Sequence, residues 1–114
     1  MMNWRQLQDS TAKLFRELGC EAAVEAMVEG ARAVHELDVQ VKFRQFGIET
    51  TWVIECKSWR RNVTKEKVMA LKAIIEDVGA DRGVIVSASG FQAGAIRAAA
   101  TSNITLTDWK GSAR

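Results

Sequence analysis

The segment Arg82–Ser87 constrains the fold more than any other stretch of this chain. It consists of Arg-Gly-Val-Ile-Val-Ser, a short apolar run of the kind found in strands that are buried on both faces. Such a strand needs helices on both sides of its sheet. A predicted helix ends at Gly79, just before this run. We therefore expect an α/β fold in which a central sheet lies between helices.

Hydrophobic periodicity predicts the remaining elements. Apolar residues at helical spacing predict helices at Trp4–Leu18, Glu66–Val78 and Phe91–Thr101. Apolar patterning predicts further strands at Cys20–Val28, Leu37–Phe43, Thr51–Lys57 and Asn103–Trp109, although Cys20–Val28 is also compatible with a helix. A turn at Phe46–Thr50 makes a hairpin of two of these strands, and the helix that follows the hairpin implies a mixed sheet. The other expected segments are a loop at Glu29–Glu36, a basic loop at Ser58–Asn62 and a frayed tail at Lys110–Arg114.

The length and composition indicate one domain. A chain of 114 residues is long enough for one hydrophobic core but not for two, so we expect a single domain over residues 1–114. No segment has the roughly 18 apolar residues of a membrane span, and the first residues contain no apolar signal region. Cys20 and Cys56 lie in apolar stretches, which favours free buried thiols over a disulfide. Together these features favour a cytoplasmic protein without a membrane partner.

Two carboxylates and a lysine lie on neighbouring predicted strands. Because strand side chains alternate, Glu55 and Lys57 project from one face about 6–7 Å apart, and Asp38 meets them if its strand is the neighbour. Mg²⁺ binds through one or two acids plus substrate phosphate, so this set suits that ion. The alternative is a solvated, ion-paired strand face. Ile54 and Cys56 point into the core, and buried strands rarely carry charges without a function, which favours a metal site.

The order of these motifs resembles a known family. The stretches that carry the resemblance are His35-Glu36-Leu37-Asp38-Val39, Glu55-Cys56-Lys57, and Gly79–Ser87 continuing into Ser89-Gly90-Phe91-Gln92-Ala93-Gly94-Ala95. They resemble the PD-(D/E)xK nuclease superfamily and, more narrowly, the Mrr-type restriction endonuclease catalytic domain, from Leu7 to Leu106.

The resemblance implies a restriction-endonuclease-like αβββαβ core, in which helices flank a mixed central sheet. It also implies that Asp38 and Glu55 bind a divalent metal and that Lys57 is the catalytic lysine. The implied cofactor is Mg²⁺, with Mn²⁺ as a substitute, and the implied partner is DNA.

One position in the first predicted helix departs from the family pattern. Relatives often carry an acid near the position that Gln8 holds here, with Asp9 beside it. A glutamine carbonyl is a weak metal ligand. Either Asp9 or Glu21 therefore supplies the missing carboxylate, or the site is weakened or inactive.

The strand-to-helix turn and the single histidine are further candidates. His35 is either a general base or a loop histidine that hydrogen-bonds the backbone. Ser89 either caps the following helix or contacts phosphate through the helix N-terminus. Gln92 is a candidate contact for a phosphate or for the site lysine.

The basic loop and the helix after it are the expected DNA contacts. Between Lys57 and Lys72 there are six basic residues and one acid, Glu66. Arg60, Arg61, Lys65 and Lys67 are expected to bind phosphates, whereas Trp59 stacks on a base or packs on the core. The alternative for the arginines is that they are simply solvated.

The function that these features favour is Mg²⁺-dependent hydrolysis of DNA phosphodiesters by an endonuclease. Cutting both strands needs two sites, so a homodimer is expected. One alternative keeps the fold and acts on branched DNA as a structure-selective resolvase. Another is a catalytically silent DNA- or protein-binding module, which Gln8 favours. A third is an α/β domain unrelated to nucleases.

Overall fold

The structure, a computed structural model, describes residues 2–109, and the predicted frayed tail Lys110–Arg114 lies outside the described residues. In chain order the elements are α1 (Trp4–Glu17), β1 (Glu21–Glu29), β2 (Val34–Gln45), β3 (Ile48–Lys57), α2 (Lys65–Val78), β4 (Arg82–Ser87), α3 (Ala93–Ala99) and β5 (Ile104–Asp108). The segment Cys20–Val28, whose pattern is compatible with either a strand or a helix, is therefore a strand, with bounds shifted by one residue to Glu21–Glu29.

The sheet is mixed, as the sequence predicts. Its strand order is β1-β2-β3-β4-β5, in which β1 with β2 and β2 with β3 pair antiparallel. The pairs β3 with β4 and β4 with β5 are parallel, and α2 and α3 make the two crossovers. The predicted α/β fold is confirmed.

Helices cover both faces of the sheet. On one face α1 covers Ile54 and Val84, whereas on the other face α2 and α3 cover Val53 and Ile85. Strand β4 is therefore buried on both faces, as its apolar sequence predicts. None of the described helices is both long and apolar enough to cross a membrane.

Two predicted connections are shorter than expected because the strands continue into them. The predicted loop Glu29–Glu36 is strand at both ends, since the β1–β2 ladder extends to the pair Glu29–Val34 and includes His35, and only residues 30–33 form the connection. The predicted turn Phe46–Thr50 contracts to Phe46 and Gly47, with φ of +54° and +75°. Two consecutive positive φ angles are typical of a two-residue type I′ hairpin turn.

The last helix is also shorter than predicted. Its observed range is Ala93–Ala99, not Phe91–Thr101. Phe91 is buried and forms a parallel bridge with Val63, so the backbone there is extended. This bridge fastens the segment before α3 to the segment before α2.

The β1–β2 hairpin changes the face that it buries at one position. Residues two apart on a strand should share a face, yet Val39 packs with α1 and Leu37 packs with α2 and α3. Glu25, which stands opposite the residue between them in the β1–β2 register, has a φ of +49°. A positive φ is uncommon for residues other than glycine. Asp38 therefore lies where the hairpin backbone turns over.

Candidate active site

Asp38 lies where β2 separates from β3. The ladder between these strands ends at the pair Val39–Ile54. Beyond it, Oδ2 of Asp38 accepts a hydrogen bond of 2.8 Å from the backbone N–H of Cys56. The carboxylate takes the place of a strand carbonyl, which fixes it against the end of β3.

Glu55 and Lys57 project from the face of β3 that α2 and α3 cover. The residues that alternate with them, Ile54 and Cys56, are buried on the α1 face, as predicted. Nζ of Lys57 lies 3.3 Å from Oε2 of Glu55, and the two side chains are 18% and 19% exposed. The ion pair is sheltered but still open to a ligand from solvent.

Cys56 separates these two charged side chains and is itself inert. Burial raises the pKa of its thiol to about 12, and the negative charges of Asp38 and Glu55 act in the same direction. The thiol therefore stays protonated at neutral pH and does not act as a nucleophile. Cys20 and Cys56 are both free, as predicted, although Cys20 is only partly buried.

Gln8 lies on the face of α1 that packs against the sheet. Its side chain is 0% exposed, and within the described part of the chain neither Nε2 nor Oε1 has a hydrogen-bond partner. One turn further along the helix, the hydroxyl of Thr11 lies 3.9 Å from Sγ of Cys56. The unpaired amide thus lies between α1 and the sheet, whereas Glu55 and Lys57 project from the opposite face of β3.

The structure does not bring Asp9, Glu21 and His35 to this point. Asp9 is exposed on the outer side of α1. Glu21 is exposed and pairs with a residue of β2 well beyond Asp38. His35 is a strand residue whose Nε2 lies 2.8 Å from Oδ2 of Asp77. The structure therefore does not place Asp9 or Glu21 as a substitute for the acid that the resemblance implies at position 8.

The β4–α3 turn braces the loop that follows β3. The buried hydroxyl of Ser87 accepts the backbone N–H groups of Ser89 and Gly90 at 3.2 and 3.0 Å. The Ser89 hydroxyl in turn donates to the carbonyl of Arg61 at 2.8 Å. Ser89 is not the cap of α3, because Gln92 holds that position, with an exposed side chain that makes no capping hydrogen bond. The hydroxyl of Ser89 is used within the protein.

The four basic residues expected to bind DNA divide into two groups. Arg61 and Lys67 lie over the ring of Trp59, with Cζ at 4.7 Å and Nζ at 5.4 Å from its centroid. Arg60 and Lys65 are exposed and lie beside neither ring nor carboxylate in the described structure. Sequence reasoning did not find this division, because it depends on how the loop folds back over α2.

The carboxylates of Asp38 and Glu55 suit a hard cation that keeps much of its bound water. Among residues 2–109 no group of three or more His, Cys, Asp or Glu side chains is arranged to hold a metal. Asp38 and Glu55 supply two carboxylates, which is the number Mg²⁺ commonly takes from protein. The amide of Gln8, which lies between α1 and the sheet, has no hydrogen-bond partner within the described residues. Because buried polar groups nearly always have partners, this amide is suited to bind water or another polar ligand there.

A protein-family model and several solved structures match this chain. The model of a restriction endonuclease family, Mrr_cat, matches residues 1–112. The crystal structure of a protein of unknown function, AF1548, has a TM-score of 0.80 and 26% identity, over 95% of this chain and 59% of that one. None of the curated proteins compared with this chain matches it.

Two restriction endonucleases share the fold. One is AspBHI, a DNA modification-dependent enzyme, with a TM-score of 0.62 and 17% identity, over 88% of this chain and 27% of that one. The other is MspJI in complex with a 27-mer oligonucleotide, with a TM-score of 0.51 and 18% identity, over 89% and 24%. This chain therefore spans less than two thirds of each of the three solved structures.

Proposed function

This chain belongs to the Mrr-type restriction endonuclease catalytic-domain family, and we propose that it is a Mg²⁺-dependent DNA endonuclease that hydrolyses phosphodiester bonds. The observation that carries the proposal is that Asp38 accepts the backbone N–H of Cys56, whose chain neighbours Glu55 and Lys57 form an ion pair. Structural neighbours that are restriction endonucleases, one of them bound to an oligonucleotide, support DNA as the substrate.

Asp38 and Glu55 would hold the metal, which when bound supplies Lewis-acid polarisation of the scissile phosphate and a more acidic water. Asp38 suits this role because its backbone partner fixes Oδ2, whereas Oδ1 makes no hydrogen bond within residues 2–109. Mn²⁺ should substitute for Mg²⁺, since both accept carboxylate and water oxygens.

Lys57 provides the positive charge that phosphoryl chemistry needs. Its ammonium group, 3.3 Å from the Glu55 carboxylate, would orient the attacking water and offset charge that develops on the phosphate oxygens. The ion pair with Glu55 holds the flexible side chain of Lys57 at the end of β3 before substrate arrives. Two such sites would be needed to cut both strands, so we propose a homodimer as the active form.

A second candidate is a catalytically silent DNA- or protein-binding module on the same fold. The observation that favours it is Gln8, whose buried amide has no partner within the described residues and stands where the family resemblance implies an acid. The two candidates share the basic surface and differ in metal binding.

Incubation with supercoiled plasmid in Mg²⁺, Mn²⁺, Ca²⁺ or EDTA tests the proposal. We expect nicked and linear products with Mg²⁺ or Mn²⁺ and none with EDTA. The matched variant is Asp38→Asn, which keeps an oxygen that accepts the Cys56 N–H but loses the charge. Cleavage that persists in EDTA or in this variant would contradict the proposed site. Absence of both cleavage and calorimetric Mn²⁺ binding would favour the silent module.

A further inference from the structure

Three cations surround one indole beside the site. Trp59, in the loop after β3, has Nζ of Lys57 at 5.1 Å from its ring centroid, Cζ of Arg61 at 4.7 Å and Nζ of Lys67 at 5.4 Å. These cations come from the end of β3, the loop and the first turn of α2. A half-buried aromatic ring is therefore the common neighbour of basic groups from three successive segments.

The three charges are crowded. No two of them are farther apart than roughly 10 Å, which is about the distance over which 0.1 M salt screens charges. Lys57 has Glu55 as a partner, but within residues 2–109 neither Arg61 nor Lys67 makes an ion pair. The ring face attracts each cation and offsets part of their mutual repulsion. The remaining positive potential favours an anion.

The loop that carries this cluster is held in place before any ligand binds. The carbonyl of Arg61 accepts the Ser89 hydroxyl at 2.8 Å, and the N–H of Val63 donates to the carbonyl of Gly90 at 2.9 Å. The β4–α3 turn thus fixes the loop from both sides of Asn62. A binding site that is organised in advance loses less conformational entropy when its ligand binds.

We propose that Trp59 with Lys57, Arg61 and Lys67 forms one phosphate-binding site, which grips the DNA backbone beside the cleavage point. Trp59 is a positioning residue that holds the amine of Lys57 between its ring and Glu55. Arg60 and Lys65, which carry the same charge but lie away from the ring, are outside this site. The identity of the ligand rests on the proposed function, whereas the anion site itself stands on the geometry.

Binding without metal separates this site from catalysis. The probe is a fluorescently labelled 20-base-pair duplex, titrated in EDTA at several salt concentrations with the whole chain. Each lost phosphate contact lowers the log–log salt slope by about 0.9. We expect R61Q/K67Q to lower the slope by about 1.8. The matched control R60Q/K65Q removes the same charge from the same segment and should leave the slope within about 0.5 of the wild-type value.

Trp59 variants test the ring itself. Trp59→Phe keeps an aromatic face and should bind the duplex within about twofold of wild type, whereas Trp59→Leu should weaken binding by about fivefold or more. Trp4→Leu is the matched control, because Arg5 lies 5.7 Å from the Trp4 ring in α1. In cleavage assays Trp59→Leu should lower kcat as well as raise KM, since it frees Lys57, whereas R61Q/K67Q should mainly raise KM.

The results have separate meanings for the two proposals. Equal slopes for the two charge double variants, or equal affinity of Trp59→Leu and wild type, would overturn the phosphate site even if cleavage is observed. If the variants show the expected binding pattern but the wild-type protein does not cut DNA, the phosphate-binding site would be supported and the proposed nuclease activity would be contradicted. If Trp59→Leu does not fold, the two charge variants still decide the question.

Discussion

Two acidic regions of this molecule use their carboxylates in opposite ways. Asp77, in the last turn of α2, accepts the backbone N–H groups of Arg32 and Ala33, just before β2, at 2.9 and 3.2 Å. It also forms a hydrogen bond of 2.8 Å with the ring of His35. The hydrogen bond from His35, followed by those from the backbone, holds the pKa of Asp77 below its ordinary value. At the end of β3, Asp38 accepts one hydrogen bond, from Cys56.

The difference lies in how many lone pairs remain for a ligand. An ionised carboxylate has about four acceptor sites. Asp77 uses most of them to fasten the β1–β2 connection to α2, so it has a structural role. Within the described residues Asp38 and Glu55 each have one such partner, a backbone N–H and an ammonium group respectively. A carboxylate that is held in one orientation but still has unused acceptor sites suits a metal ion.

Substitution of Lys57 is expected to have the largest effect on the rate of DNA cleavage. Lys57→Ala should lower the single-turnover rate of plasmid cleavage by about 10²–10³-fold or more, because it removes a charge that acts on the transition state. The melting temperature should change little, since the side chain packs no core. Lys65→Ala, an exposed lysine at the start of α2, is the control and should cut normally. An unchanged rate in Lys57→Ala would remove its catalytic role.

A pair of isosteric variants tests the comparison directly. Asp38→Asn should abolish Mn²⁺ binding in calorimetry yet retain nearly the wild-type melting temperature, because its amide oxygen still accepts the Cys56 N–H. Asp77→Asn should lower the melting temperature and leave Mn²⁺ binding intact. Its amide group cannot accept hydrogen bonds from all the donors that Asp77 serves. If both variants lost stability alike, the distinction between a structural and a ligand-binding carboxylate would fail.

The buried amide of Gln8 should limit the stability of the fold. Gln8→Leu removes an orphaned donor and acceptor and should raise the free energy of unfolding by about 1–3 kcal/mol. Gln8→Glu should destabilise the metal-free protein, because it buries an unpaired charge. Urea unfolding measures both effects, and a Gln8→Leu variant that is less stable than wild type would contradict the description of Gln8 as a buried group without hydrogen-bond partners.

Local sequence pattern was sufficient for much of this geometry. Period-2 alternation placed Glu55 and Lys57 on one face, and the apolar Arg82–Ser87 run predicted a strand covered on both sides. The glutamine at position 8, where the family resemblance implies an acid, was visible in the sequence.

The sequence could not reveal features that depend on distant contacts or on backbone angles. His35 pairs with Asp77 across a long stretch of chain, and no local pattern links the two. The positive φ of Glu25, which turns the hairpin over at Asp38, is unusual for that residue type and leaves no motif. The cations around Trp59 were visible as a basic run, but their division depends on the fold of the loop.

The smallest expected effect is the pH dependence of the Asp77 contacts. Folding lowers the pKa of Asp77, so its ionised form is the stabilised one, and the contribution is present above the ordinary value of 3.8. It is lost as pH falls through the lower folded value. The melting temperature of wild type should therefore exceed that of Asp77→Asn at pH 6, and the gap should narrow below pH 3.8. Scanning calorimetry from pH 6 downward measures the gap. A gap that stays constant to the lowest pH would mean that hydrogen-bond geometry, and not the charge of Asp77, fastens the β1–β2 connection to α2.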